Sequence, residues 1–331
     1  MLAVQYARFG VPAEVAQLVE TQGPSAPEAG EALIEVERVA INPGDLLRLE
    51  GRYGNNVAAL PAFAGAEGVG RVLEVGAGVT RVKPGDRVLL HQYFAKIGIW
   101  RERLVMSAAS LIAMPDADPS QLAMLSVNPA TALLMLTDFV TLKPGDWVVQ
   151  NAANSAVGHW LIKLAATMGL SLINVVRRED AAADLRLGGA GHVVVDGPDL
   201  ADRIDAITMG KRPRLAIDAI GGEATQRLAA SLAEGGTVVN YGLLSGDACR
   251  VAAHDTVFRD VALRGFWLQR WWIASSQEAI DALYARLSSL VASGALSVPV
   301  EAVYPLARLK DALTHAGRPG RTGKIVMAVK A

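Results

Sequence analysis

Cysteine is the scarcest residue of this chain. Cys249 stands alone among 331 residues, which excludes an intrachain disulfide and any cysteine-rich structural zinc lobe. The five histidines, His91, His159, His192, His254 and His315, show no metal-like spacing and are assigned no function. No uninterrupted apolar run reaches the roughly 18 residues of a membrane-spanning helix. Yet 51% of the residues are hydrophobic and the mean hydropathy is +0.28, so the apolar excess must be spread through short buried strands and helices. Net charge is −1 and no Lys/Arg block stands out, so nothing recruits nucleic acid or an anionic membrane electrostatically. Low-complexity segments and long linkers are missing too. The opening residues, MLAVQYARFGVP, read directly as a strand with no basic, Ser-rich or apolar leader, giving the expectation of a cytoplasmic protein.

What is present centres on Lys143 to Arg178, which parses as turn, strand, loop, helix, strand. Pro144-Gly145 supplies the turn, Pro presetting φ at the first central position and Gly tolerating the positive φ of the second. Trp147 to Gln150 has strand length. Val157, Trp160, Leu161, Leu164 and Ala165 fall on one helical face, and Gly169 stops the helix. Leu172 to Val176 is a second buried strand. This is a βαβ unit whose first loop occupies the position that binds the pyrophosphate of a dinucleotide. Its glycine fingerprint is poor: aligned on Gly158, the other two positions fall on Ala153 and Ser155. Small residues (Ala152, Ala153, Ser155, Ala156) still admit a phosphate to the backbone, and Asn151, Asn154 and Ser155 add polar groups. The second strand ends in Arg177-Arg178, nineteen residues after Gly158. An NAD site would carry Asp or Glu there. Guanidinium groups favour the 2′-phosphate of NADPH; the alternative is a solvated charge cluster with Glu179 and Asp180.

Residues 1 to about 120 are rich in short strands and turns. Ala32 to Val39 alternates as a half-buried strand, Asn42-Pro43-Gly44-Asp45 turns the chain, and Gly68, Gly70, Gly76, Gly78 and Gly85 suggest tight hairpins around a small barrel. Val82 to Val88 and Leu142 to Val148 share the same Lys-Pro-Gly-Asp turn. From about Pro119, helices and strands alternate, predicting a doubly wound parallel sheet with ligand outside the carboxyl ends of its strands. Leu263 to Leu268 reads as a further strand, Gln277 to Val291 as a helix between the N-cap candidates Ser275 and Ser276 and Gly294 at its end, and Val298 to Lys330 as a return to the barrel.

The ordered set NPGDLLRLEGRYG (42–54), AGAEGVGRVLEVGAGVTRVKPGDRV (64–88), VNPATALLML (127–136), NAANSAVG (151–158), INVVRRE (173–179), GGTVVNYGLLSG (235–246), RGFWL (264–268) and GRTGKIV (320–326) resembles the medium-chain dehydrogenase/reductase superfamily over nearly the whole length. Within it the chain looks most like the zinc-independent trans-2-enoyl thioester reductases. The resemblance implies a GroES-like β-barrel catalytic domain (1–120 and 293–331) and a doubly wound Rossmann domain binding NADPH (121–292). It matches Tyr53 to the catalytic tyrosine. It matches Asn128, Asn154, Ser155, Ala156, Val157, Arg177, Arg178, Glu179, Tyr241, Gly242, Leu243, Leu244, Phe266, Trp267, Leu268 and Lys324 to cofactor contacts. Zinc-dependent relatives carry a Cys near 43 to 45 and a His where Ala66 stands; neither is present, so no metal is expected. His91 to Ile99, HQYFAKIGI, departs from the family, which puts acyl-chain length and acceptor in doubt.

The implied reaction reduces the C=C bond of an enoyl thioester. NADPH delivers hydride to Cβ, and a phenol, protonated at neutral pH, gives the proton to Cα. A Tyr in a Gly-flanked loop is also an ordinary packing residue. Trp100 is a candidate for the acyl pocket or a buried barrel aromatic. Trp267, Trp271 and Trp272 suggest an edge strand closing a homodimer sheet, or core packing. Asp45 and Glu67 read as braces of the loop or as groups that orient substrate, and Lys324 as a ribose contact or a surface lysine. The rival readings are an NADPH:quinone or other activated-alkene reductase, and a non-catalytic NADPH-binding protein.

Overall fold

The computed structural model describes residues 1–54 and 59–330, with the side chains of Phe94 and Ala95 outside the described residues. The chain divides into two compact units, 1–130 with 272–331, and 131–271. The helix Gln277–Ala292, expected with the nucleotide domain, clusters with the first unit. Among the described residues no helix is long and apolar enough to cross a membrane.

The first unit is built on a seven-stranded sheet. Glu31–Ala40 lies at its centre, pairing antiparallel with Glu67–Val75, Arg103–Ser107 and Lys324–Ala328. Ala32, Ile34 and Val36 alternate inward as the sequence predicts. A register shift between Val36 and Arg38 then turns Val39 and Ala40 inward together. Gly68 and Gly70 make no hairpin; they lie inside the strand Glu67–Val75. A Cβ there would come within 2.5 Å of the Arg38 and Glu35 carbonyl oxygens, so the close approach of two backbones requires them. At the large sheet's two ends, Val300–Pro305 pairs with Lys324–Ala328 and Ile112–Ala113 with Arg87–His91, and a separate three-stranded sheet holds Gln17–Glu20, Leu2–Tyr6 and Ala62–Phe63. Trp100, Ile34, Leu90, Leu104, Ile325 and Met327 share one core.

The Asn-Pro-Gly-Asp segment is not a bare turn. It opens the helix Pro43–Leu49, with Asn42 as N-cap and the Asp45 carboxylate accepting the Asn42 N–H at 2.8 Å. Pro at the first helical position and an acidic third residue are what such an entry requires.

The second unit is a six-stranded, wholly parallel sheet. Its order is His192–Val195, Ser171–Val176, Trp147–Gln150, Leu215–Asp218, Thr237–Asn240, Ala262–Gly265. The chain's first three strands run outward in one direction and the next three in the other, which is the Rossmann order. The turn before Trp147 forms as predicted: Gly145 has φ of 89°, and the Asp146 carboxylate accepts the Lys143 N–H at 2.8 Å. Gly85 repeats it at 92°, with Asp86 accepting from Lys83. The helix Ala156–Thr167 buries Val157, Trp160, Leu161, Leu164 and Ala165, the larger of them contributing about 1.5–3 kcal/mol each. One expectation fails here. The last strand stops at Gly265, and Trp271 and Trp272 lie on the helix Leu268–Ala274, because a Leu-Gln-Arg-Trp-Trp run has helical rather than alternating periodicity.

Candidate active site

In the second unit, the loop after Trp147–Gln150 carries the anion-binding chemistry. Ala152 takes φ of 48°, a left-handed conformation usually left to Gly or Asn, and so bends the chain back toward the helix. Ser155 caps that helix, its hydroxyl accepting the Gly158 N–H at 3.1 Å. The first-turn N–H groups of Ala156 and Val157 have no partner within a helix and point outward at its positive end. Gly158 cannot be enlarged, since a Cβ would lie 2.3 Å from the Ala153 carbonyl oxygen. The one surviving glycine of the fingerprint is thus the one needed for helix-to-loop packing, and Ala and Ser suffice at the other two positions.

Burial of the Tyr241 hydroxyl, after the fifth strand, pushes its ionisation upward, the Ser155 side chain opposing and the Asp218 charge adding to the shift, so the phenol stays protonated. Arg177 and Arg178 are both exposed at the end of Ser171–Val176. They are not equivalent. Arg178 pairs with Asp180 at 3.0 Å and Glu179 with Arg186 at 2.5 Å, whereas Arg177 has no ion pair among the described residues. Of the other matched positions, Leu243, Leu244 and Trp267 are exposed, Leu268 is buried, and Gly242 lies so close to Ala219 that a Cβ would come 2.4 Å from its oxygen.

The first unit holds a separate constellation. Asn42 is its hub: its amide nitrogen donates to Glu67 Oε1 at 2.7 Å, and its oxygen accepts from Asn128 at 2.9 Å and from Lys324 Nζ. Glu67, with no solvent exposure, also accepts the Ser126 hydroxyl at 3.0 Å and the Val127 N–H at 2.9 Å. Lys324 donates further to the Ile41 carbonyl at 2.8 Å. It is 3% exposed, so it is not a surface lysine. Burial pushes its ammonium down to about 8, against the pull of Glu67 and Asp45. Burial likewise raises the Glu67 and Asp45 carboxyls. Asn128 and Lys324, matched separately in sequence, therefore meet on one buried amide.

Tyr53 is half-buried in the same unit, with the Arg48 guanidinium 4.3 Å from its ring centre. A Cβ on Gly44 would reach its Cε2 at 3.1 Å. Trp100 is wholly buried, its indole against Gly65, so it packs the core and lines no open surface. In the HQYFAKIGI segment, His91 stacks edge-on against Trp272 at 4.0 Å and Tyr93 lies parallel to it at 5.9 Å. Burial, with Arg48 adding, pushes His91 down to about 3. Trp272 Nε1 donates to the Tyr284 hydroxyl at 3.0 Å, which donates to the Ser126 carbonyl at 2.7 Å. No group of three or more His, Cys, Asp or Glu among the described residues could hold a metal ion.

The sequence singled out neither Asp218 nor the roles of Asn42 as a buried hub and of Asn151 as the partner of Asp218. The Asn-Pro-x-Asp spacing would have flagged Asn42 as a cap. Asn151 and Asp218 meet only through the sheet.

Comparison with known proteins matches residues 28–116 to the alcohol dehydrogenase GroES-like domain and 156–285 to the zinc-binding dehydrogenase family. The human mitochondrial enoyl-[acyl-carrier-protein] reductase is 36% identical over 99% of this chain and 88% of its own length. A candidate NADPH:quinone reductase of Bacillus thuringiensis superposes with a TM-score of 0.89 at 30% identity, covering 99% of both chains. The Escherichia coli quinone oxidoreductase, solved with NADPH, gives 0.87 at 26% identity, over 99% of this chain and 100% of that one. The cytoplasmic expectation is corrected by the relatives from Homo sapiens, Rattus norvegicus and Bos taurus, all mitochondrial by name. That expectation rested on the opening residues, which form the strand Leu2–Tyr6 of the folded unit and carry no physical mark of a compartment. On these matches the chain belongs to the medium-chain dehydrogenase/reductase superfamily, as a relative of its enoyl-[acyl-carrier-protein] reductases.

Proposed function

We propose that this chain is an NADPH-dependent reductase of 2-enoyl thioesters. The observation that carries the reading is its identity with an enoyl-[acyl-carrier-protein] reductase over nearly the full length of both chains. The nucleotide unit fits the cofactor. A loop of small residues leads to a capped helix whose N-terminus suits a pyrophosphate. Arg177, exposed and without an ion pair among the described residues, stands where a 2′-phosphate is bound in this fold. Bound there, NADPH would supply the hydride for Cβ.

The chain's own residues supply placement and the proton. Tyr53 donates its phenolic proton to Cα, the Arg48 guanidinium over its ring holding the side chain in place. Asn128 and Lys324, anchored through Asn42, orient the nicotinamide ribose. The edge strand Ala262–Gly265, exposed throughout and bordered by Val257 and Phe258 at 70% and 74% exposure, supports a homodimer.

Rates of NADPH and NADH oxidation with C4 to C16 enoyl-CoA thioesters, a simple enone and a quinone test the reading. Tyr53→Phe is expected to lower turnover on crotonyl-CoA by roughly 100-fold or more with NADPH affinity kept. Unchanged turnover removes Tyr53 from the role. The second reading, an NADPH:quinone reductase, is favoured by the 30% identity to the Bacillus thuringiensis protein; a strong preference for the quinone would select it.

A further inference from the structure

The sheet order places Trp147–Gln150 beside Leu215–Asp218 at its centre, where the direction of strand addition reverses. Asp218 ends the second of these strands and is completely buried. Its Oδ1 accepts from the Asn151 side chain at 2.6 Å and from the backbone N–H groups of Ile220 and Gly221 at 2.9 and 3.2 Å. Its Oδ2 accepts from the Thr225 hydroxyl at 2.6 Å and the Asn240 side chain at 3.0 Å. Every partner is a donor, a pattern that suits a carboxylate and no amide.

Two of those donors begin the loops that the cofactor would lie on. Asn151 leads into the loop that ends at Ser155, and Asn240 leads into Tyr241. Asp218 thereby ties the ends of both strands to one carboxylate, through Asn151 ahead of the loop that ends at Ser155 and through Asn240 ahead of Tyr241.

We infer that Asp218 is the positioning residue of the dinucleotide crevice, fixing the loops after the first and fifth strands of the sheet at one spacing without itself touching the cofactor. The inference rests on the NADPH reading. A buried carboxylate under a site for phosphates is electrostatically unfavourable to the ligand unless fully engaged by donors. Retaining it there makes sense for geometry, since one group with two oxygens can hold several loops at once.

Asp218→Asn tests this. The amide replaces one oxygen with a donor, so at least two of the five partners lose their acceptor. NADPH fluorescence titration should show the dissociation constant raised by roughly tenfold or more. Turnover with crotonyl-CoA at saturating NADPH should stay within about threefold, because the acid and substrate groups are untouched. Thr225→Val removes a donor on the helix Gly222–Ser231, away from both loops. It should lower the melting temperature of the cofactor-free protein and leave NADPH affinity alone. Should Asp218→Asn not fold, Asn151→Ala cuts the tie between Asp218 and one loop and is expected to weaken NADPH similarly. Unaltered NADPH affinity in Asp218→Asn or Asn151→Ala, or equal weakening in Thr225→Val, overturns the assignment. Failure of the wild-type protein to bind NADPH would instead sink the underlying functional reading.

Discussion

Replacing Lys324 by Met isolates the ionisation of one buried ammonium. Burial holds that group at about 8 against an ordinary 10.5. Between those two values the unfolded chain keeps a proton that the folded one has released. Stability rises with pH wherever the unfolded state binds more protons. Wild type must therefore gain stability relative to Lys324→Met as pH climbs from about 8 to 10.5, and the gap must be constant below that window. A separation of about 2.5 pH units at 1.36 kcal/mol each gives a gain of about 3 kcal/mol. At 3% exposure, solvent screening takes little from this figure. Urea unfolding of both cofactor-free proteins at half-unit steps from pH 7 to 10.5 measures it, and the subtraction cancels groups common to both. A flat difference curve, or one that falls with pH, refutes the claim that Lys324 ionises inside the Asn42–Glu67 network.

Three other outcomes follow from contacts already described. Arg177→Ala should weaken NADPH roughly tenfold to a hundredfold and leave NADH unchanged, read by titration with both cofactors; parallel losses would point to a structural role. Gly158→Ala drives a methyl group against the Ala153 backbone and should cost about 1–3 kcal/mol, with a lower melting temperature and weaker NADPH binding. Tyr284→Phe strips the Ser126 carbonyl of a donor and Trp272 of an acceptor. About 2–4 kcal/mol of stability should go with them, measured by denaturant unfolding.

Local chemistry was the legible part of this chain. The two Lys-Pro-Gly-Asp turns, the βαβ unit and the Ser276 cap of Gln277–Ala292 were readable because each is decided within a few residues. Pro43 was misread as a turn residue because the same Pro and Asp that favour turns also favour a helix start. Of the two readings open for Trp271 and Trp272, the edge strand fails because both lie on the helix Leu268–Ala274, while Trp272 packs inside as the other reading had it. The site was legible as isolated residues and illegible as networks. Asn42, Glu67, Asn128 and Lys324 come from four distant segments, two of them strands and two of them helix starts, which meet only in the folded unit. The local sequence offers Asp180 to both Arg177 and Arg178, and only the folded strand end shows that it engages Arg178.

The central strand Glu31–Ala40 waits a long time for one of its neighbours. Lys324–Ala328 pairs with it directly, and the Lys324 ammonium reaches the Ile41 carbonyl across a sequence separation of 283 residues. On the ribosome the parallel sheet of residues 131–271 is contiguous and emerges complete, free to fold as soon as it clears the exit tunnel. The flanking unit cannot be completed so early: until Lys324–Ala328 is synthesised, the Arg38–Ala40 end of the central strand shows a bare edge to anything that will pair with it. The early half of this protein is thus the segment most in need of a chaperone, although it is made first.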